Sequence, residues 1–276
     1  GEGLISDTFF DLPHARDLRE FCVKKSGHAP KYVINTHGHW DHFWGNQVFT
    51  EATVMGHKDM LKYCPNDKSK VPVFKFLHGS KGVQNLLGGV MTAVFKNHLP
   101  AGKKASFIVR IGDHDFDLNG VVPKVPDVLF DSNTVLDLDG TEVHLIHLGA
   151  IHSSSDLIVW IPSEKVLFAG DIFADCSMPM SMDGGKKWIE VMDYILDDLQ
   201  PEVIVPGHGE VYDRARAESQ REYFKSLIEQ VEKSFTPTIK NDELLAKIDV
   251  SKYIDRRPRL GWIMAVNGMV GQLRKK

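Results

Sequence analysis

The 276-residue chain is short of several features that would settle a function class at once. It has three cysteines, Cys22, Cys64 and Cys176, far apart and odd in number, so they form neither a zinc knuckle nor a disulfide framework and read as reduced, mostly buried thiols. No apolar run approaches the roughly 18 residues that span a bilayer, and no membrane partner is expected. The opening Gly1-Glu2-Gly3-Leu4-Ile5-Ser6-Asp7 has no basic region and no signal-peptide pattern, and resembles the middle of a first hairpin. The expected location is therefore cytoplasmic if Gly1 is the native start, and secreted or periplasmic if a leader has been removed. There is no basic excess: 33 Lys+Arg face 37 Asp+Glu, and a net charge of −4 speaks against a broad electrostatic nucleic-acid binder, so no nucleic-acid partner is expected. Internal repeats, low-complexity tracts and a Gly-X-Ser-X-Gly elbow are all missing. The Gly79–Gly89 stretch lacks the Gly-Lys-Ser/Thr of a phosphate loop. Asp113-His114-Asp115-Phe116-Asp117 opens like a calcium loop, but Leu118 stands where glycine is required and Lys124 where a glutamate should close it.

What is present is ordinary in bulk and unusual in one residue type. The 42% hydrophobic and 25% charged fractions are those of a globular protein, and a chain of this length buries roughly three quarters of its unfolded surface. Short apolar runs alternate with helical patterns. Strands are expected at 4–8, 31–35 and 53–56, and helices at 12–25, stopping at Gly27, at 57–63 and at about 80–96. Residues 97–127, with Pro100, Pro123 and Pro126, read as irregular, a lid or an inserted loop. Further on, hairpins are expected at 134–138/141–148 around Asp139-Gly140 and at 157–161/165–169, then a helix at 184–199, a strand at 202–205, a charged amphipathic helix at 212–234 and a basic C-terminal tail. This order suits an α/β fold of packed sheets with helices outside. One domain over 1–276 is expected, with a lid-like insert at about 60–130 and a helical extension at about 212–276.

The unusual residue is histidine, thirteen in all, three of them in His37-Gly38-His39-Trp40-Asp41-His42 directly after the strand KYVIN. Neutral imidazoles and a carboxylate are suitable ligands for Zn²⁺ and similar ions. His37 and His39, two apart, can turn toward one ion, and Asp41 and His42, past a bend, toward a second. Three further candidates each follow a strand: His152 after 141–148, Asp171 after 165–169 in Phe168-Ala169-Gly170-Asp171, and His208 in Pro206-Gly207-His208-Gly209. Side chains leaving strands along one edge of a layered fold converge. Together the seven suffice for two metals at four or five ligands each if one carboxylate bridges.

These elements resemble the signature motifs of the metallo-β-lactamase-fold hydrolases, from about residue 4 to residue 213. The resemblance implies a four-layer αββα sandwich with the metals at one edge of the sheets. It implies His37, His39 and His152 on the first metal, Asp41, His42 and His208 on the second, and Asp171 bridging. An aspartate at the Asp171 position is usual in lactonases, glyoxalase II-type thioesterases and phosphodiesterases and unusual in β-lactamases proper. His39 in place of a glutamate disfavours the electron-transferring flavodiiron branch.

The expected activity is that of a dinuclear zinc hydrolase, with two Zn²⁺ per chain and iron or manganese also compatible, in which a hydroxide shared by the metals cleaves an ester-like bond (lactone, thioester or related) of a small molecule. Asp41, the candidate catalytic residue, would orient the hydroxide or pass a proton to the leaving group. The alternatives are a β-lactam hydrolase, a phosphodiesterase, and a mononuclear iron dioxygenase acting on a thiol-derived substrate. A homo-oligomer is compatible with the sequence. Trp40, Phe43, Trp44, Met178, Met180 and Met182 are candidates for an apolar wall by the metals, against ordinary core packing. Lys186, Lys187, Arg214 and Arg216 are candidates for a substrate carboxylate, against a solvated face. Ser153, Ser154 and Ser155 read as turn residues or hydrogen-bonding supports of the ligands. Of the remaining histidines, His14, His28, His57, His78, His98, His114 and His144 read as surface or packing residues, and His147 as a support of the site.

Overall fold

The structure is a computed structural model that describes residues 3–62, 70–76, 93–100, 108–111, 114–174, 185–252 and 259–274. The chain divides into two compact units, Gly1–Thr141 and Glu142–Lys276.

The first unit is built on parallel strands β1 (Leu4–Ser6), β2 (Tyr32–Asn35) and β3 (Thr53–His57). A later strand, Val128–Phe130, pairs parallel with β3 and completes the order. Val33, Ile34 and Val54 are fully buried, as in a parallel sheet covered on both faces. Between β1 and β2 runs helix α1 (Leu12–Ser26). It starts where Asp11 accepts the His14 N–H and Pro13 fills the first turn. It stops at Gly27, whose φ of 84° lets its N–H reach the Val23 carbonyl. The expected short helix at 57–63 is a 3₁₀ turn over Lys58–Lys62.

Two expectations in this unit are corrected. Residues 93–96, placed in a helix by spacing, lie in the strand Ala93–Pro100, antiparallel to Lys70–Phe76; residues 80–92 lie outside the described residues. The stretch read as irregular holds a second hairpin, Ile108–Ile111 with His114–Asp117. Prolines and glycines on either side masked a run too short to show its alternation. Beyond it, Leu118 and Val121 are buried in the core with Phe10, Phe43, Trp44 and Met60. Gln47 donates to the Gly120 carbonyl and Asn46 to that of Lys124, so this segment is tied to the core.

The second unit carries the strands Thr141–Gly149, Asp156–Ile161, Val166–Phe168 and Val203–Val205, laid side by side in that order. The first three are antiparallel to their neighbours and the last joins in parallel. The expected helix at 184–199 is α-helical over Lys186–Asp193 and widens to a π-helix over Tyr194–Leu199, ended by Gln200 in the left-handed conformation. The amphipathic helix is Arg214–Ser234, capped by Asp213, which accepts the Arg216 N–H at 2.8 Å. It buries Ala217, Phe224, Leu227, Ile228 and Val231 at three-to-four spacing. The tail contains two more helices, Asn241–Leu245 and Arg259–Leu273. No described helix is long and apolar enough to cross a membrane.

Gly45 decides how closely the chain after β1 approaches the turn that follows the histidines. A Cβ there would overlap the Thr8 carbonyl oxygen and come within 2.8 Å of the Ala15 methyl. Gly45→Ala is expected to cost about 2–3 kcal/mol, since backbone and packed side chain cannot yield. Gly27→Ala, with nothing within 4 Å of the added methyl, should cost only the left-handed strain of about 1 kcal/mol. Chemical denaturation of the two variants checks the ranking.

Candidate metal centre

Each unit presents part of the histidine and aspartate set at the ends of its strands. In the first unit, His37 and His39 follow β2, and Asp41 and His42 lie in the single helical turn Trp40–Phe43. His37 Nε2 stands 3.1 Å from His39 Nδ1, and His42 Nε2 3.6 Å from Asp41 Oδ2. Two imidazole nitrogens facing each other at that distance need either one shared proton or one common cation. In the second unit, Asp171 has an imidazole at each oxygen: His152 Nε2 is 3.2 Å from Oδ2 and His208 Nε2 is 3.6 Å from Oδ1.

Neighbouring groups determine which nitrogen each imidazole presents. Asp7, at the end of β1, accepts the Thr36 N–H at 2.8 Å, the Thr36 hydroxyl at 2.7 Å and His42 Nδ1–H at 2.9 Å. The Thr36 hydroxyl has one proton and gives it to Asp7. It can therefore only accept from His37 Nδ1, 3.0 Å away. Both His37 and His42 are thereby held with the proton on Nδ1, which leaves Nε2 as a lone pair for a metal. A carboxylate behind a ligating histidine is the usual way to hold the tautomer and ring and to raise ligand basicity. His37 and His42 are nearly fully buried. The His42 backbone is held as firmly: its carbonyl accepts from the Thr8 N–H and from Asn35 Nδ2, and Asn35, Asn46 and Thr8 close a buried amide network beneath it. Sequence reasoning missed Asp7. The usable signal was a lone aspartate at the end of a strand whose neighbour in the sheet runs straight into the histidine motif.

The supports in the second unit are of the same kind. Asp156, buried, accepts from the Ile151 and Ser153 N–H groups and the Ser153 hydroxyl, and so closes the turn that carries His152. The Ser153 hydroxyl in turn accepts the Ser155 N–H, which makes these serines turn residues. The His152 ring stands edge-to-face on fully buried Trp188, whose indole N–H donates to the Ile172 carbonyl. Gly207 donates to the Gly170 carbonyl at 2.7 Å, and a Cβ there would overlap Asp171 Oδ1. Only glycine lets the His208 loop lie this close to the Asp171 carboxylate.

Other candidates fall elsewhere. Phe43 and Trp44 are fully buried in the core, the packing reading rather than the site wall, because their ring area outweighs their position beside a candidate ligand. Trp40 is partly buried against that cluster. Met178, Met180 and Met182 lie outside the described residues. Arg214 pairs with Glu218, Arg216 stacks on Tyr212 near Glu210, and Lys186 pairs with Glu232, as a solvated face would. His57 is buried, and its burial pushes its pKa down, so it packs as a neutral ring, with Nδ1 accepting the Asp59 N–H. His14 reinforces the α1 cap on Asp11, and His144 pairs with Glu142. His147 lies within the strand register opposite Leu157.

The donor set fits a bound metal: mixed imidazole and carboxylate, tautomers held for coordination, ligand loops pinned from behind. Comparison with known proteins points the same way. The chain is 26% identical over 114 residues, 40% of its length and 46% of the relative's, to a metallo-beta-lactamase type 2 of Bacteroides fragilis. It is 36% identical over 67 residues, 24% of its length and 26% of the relative's, to a metal-dependent hydrolase of Haloquadratum walsbyi. These matches span less than half the length of either curated relative. Among solved structures, a metallo-beta-lactamase family protein of Thermus thermophilus shares 16% identity at a TM-score of 0.57, covering 99% of this chain and 86% of that one. A stereoselective inverting sec-alkylsulfatase of a Pseudomonas species shares 15% at 0.61, with 99% and 46% covered. At such identities the likeness is one of fold. The family model of the metallo-beta-lactamase superfamily matches residues 1–208, and with three quarters of its length under that match the chain belongs to the metallo-beta-lactamase superfamily.

Proposed function

We propose that the chain is a dinuclear zinc-dependent hydrolase that cleaves an ester-like bond, a lactone, thioester or related group, in a small molecule. The observation that carries this reading is Asp171, with an imidazole facing each of its two oxygens. That is the arrangement a carboxylate needs to bridge two ions. His37, His39 and His152 would hold one ion, Asp41, His42 and His208 the other, with Asp171 shared. Zinc held there would lower the pKa of a bound water to about 7 and polarise a carbonyl oxygen. Asp41, whose carboxylate lies 3.6 Å from His42 Nε2, would hold a proton and pass it to the leaving group. Asp7 and Thr36 keep the two buried imidazoles in the ligating tautomer. Imidazole also suits iron, and carboxylate suits manganese. Elemental analysis of the purified chain is therefore the first test: two zinc ions per chain support hydrolysis, and a single iron would favour a dioxygenase. A panel of lactone, thioester, cephalosporin and phosphodiester substrates follows, the cephalosporin included because of the Bacteroides relative. Silence on all four sinks the hydrolytic reading.

Two variants test the assigned roles. Asp171→Ala should retain at most one metal per chain and lose activity. Gly207→Ala should shift metal content the same way by displacing Asp171, while far-ultraviolet circular dichroism stays close to the parent's. Two metals and full activity in Asp171→Ala would refute the bridge. Asp7→Asn keeps a residue that tolerates the left-handed φ of 60° at this position but removes the negative charge behind His42. Its zinc affinity, measured by chelator competition, should fall about 10–100-fold.

A further inference from the structure

One feature of the first unit has no part in the metal site as described. Phe9 is 46% exposed and adopts φ of 62°, in the left-handed region that bulky side chains avoid. An exposed turn residue under that constraint would ordinarily be Gly, Asn or Asp. Other contacts make the conformation obligatory: the Gly45 N–H donates to the Phe9 carbonyl, the Thr8 N–H to that of His42, and Asp11 caps α1 two residues later. The backbone cannot relax without disturbing the histidine loop. The phenyl ring is thus presented to solvent on a strained mount, where a glycine would release the strain.

The ring does not stand alone. Its centroid is 5.8 Å from His14, His14 is 5.3 Å from Phe116, Phe116 is 4.6 Å from Phe10, and Phe10 is 4.7 Å edge-to-face from Trp40. Trp40 sits between the candidate ligands His39 and Asp41. A row of five rings therefore runs from an exposed tip to the metal loop; Phe10 within it is buried in the core, so the surface a ligand can reach is that of Phe9 and His14 and the half-buried edges of Phe116 and Trp40. The His14 imidazole within it is turned to the Asp11 carboxylate at 2.8 Å, so its polar edge is engaged and its face belongs to the row.

We propose that Phe9 is a specificity-determining residue: the row it heads receives an extended hydrocarbon group of an ester-like substrate, such as a medium-length acyl chain, and holds the scissile bond toward the metal loop. The proposal rests on the hydrolytic reading for its reaction, and on the aromatic row alone for its binding site. Aromatic surface that a ligand can reach gains affinity from each methylene it covers.

The test compares Phe9→Ala and Phe9→Gly with Phe21→Ala, which removes a similarly exposed phenyl from α1, away from the row. The readout is the ratio of kcat/KM for thiophenyl octanoate to that for thiophenyl acetate. Both Phe9 variants should lower this ratio about tenfold, and Phe21→Ala should leave it at the parent value. Phe9→Gly should melt about 2–4 °C above Phe9→Ala, because only glycine releases the backbone. A ratio that follows melting temperature, or one equal to the parent's in both Phe9 variants, overturns the proposal. Binding of the apolar probe 1-anilinonaphthalene-8-sulfonate to the zinc-free chain is read in parallel. At least a fivefold weaker Kd in both Phe9 variants, with Phe21→Ala unchanged, supports the row. If the parent cleaves neither ester while the probe still discriminates the variants, the thioester reaction fails and the binding site stands. If the probe does not discriminate, the site fails whatever the esters show.

Discussion

The Asp7 carboxylate is the constraint on which the first half of the site depends. Its two oxygens take the Thr36 amide, the Thr36 hydroxyl and His42 Nδ1–H, and Thr36 passes the effect on to His37. The parallel register that sets Ser6 beside Ile34 delivers Asp7 to this position. The residues involved are largely buried, and a buried polar group left without its partner costs more than the bond returns. The network must therefore form as a whole, and the packed sheet sets the tautomers of two imidazoles.

The second half meets the same demand by other means. Asp156 gathers the amides of the His152 turn, Trp188 supports the ring, and Gly207 removes the one atom that would keep the His208 loop off Asp171. In both halves, stiff apolar strands end and polar loops begin two or three residues before a donor, at His37, His152, Asp171 and His208. Rigid strands supply the precision and loops supply the side-chain variety.

Backbone strain is distributed unevenly. Of the non-glycine residues described with positive φ, Asp139, Lys165 and Gln200 sit at turns or helix ends, where a left-handed residue closes the chain. Asp7 and Phe9 flank the histidine loop, and there the strain serves a side chain: a carboxylate turned inward and a ring turned outward. Strain concentrated beside a site and tolerated by a rigid surround is the pattern expected where function and stability compete.

Much of this was legible from the residues in order. Apolar spacing from Leu12 and the stop at Gly27 bounded the first helix, and the runs ending near Asn35, Gly149, Phe168 and Val205 preceded the candidate donors, because periodicity and turn chemistry are local. The hairpin of 108–117 was not legible, since strands of four residues between glycines and prolines show too little alternation. For Phe43 and Trp44 the sequence left core packing and a site wall as alternatives, and what packs over them decided for the core. The sequence by itself determined the donor types, imidazole and carboxylate, and their places at strand ends. Only the tertiary structure decided which nitrogen each imidazole presents, because that choice is made by hydrogen bonds between groups such as His42 and Asp7, 35 residues apart, which no local pattern encodes.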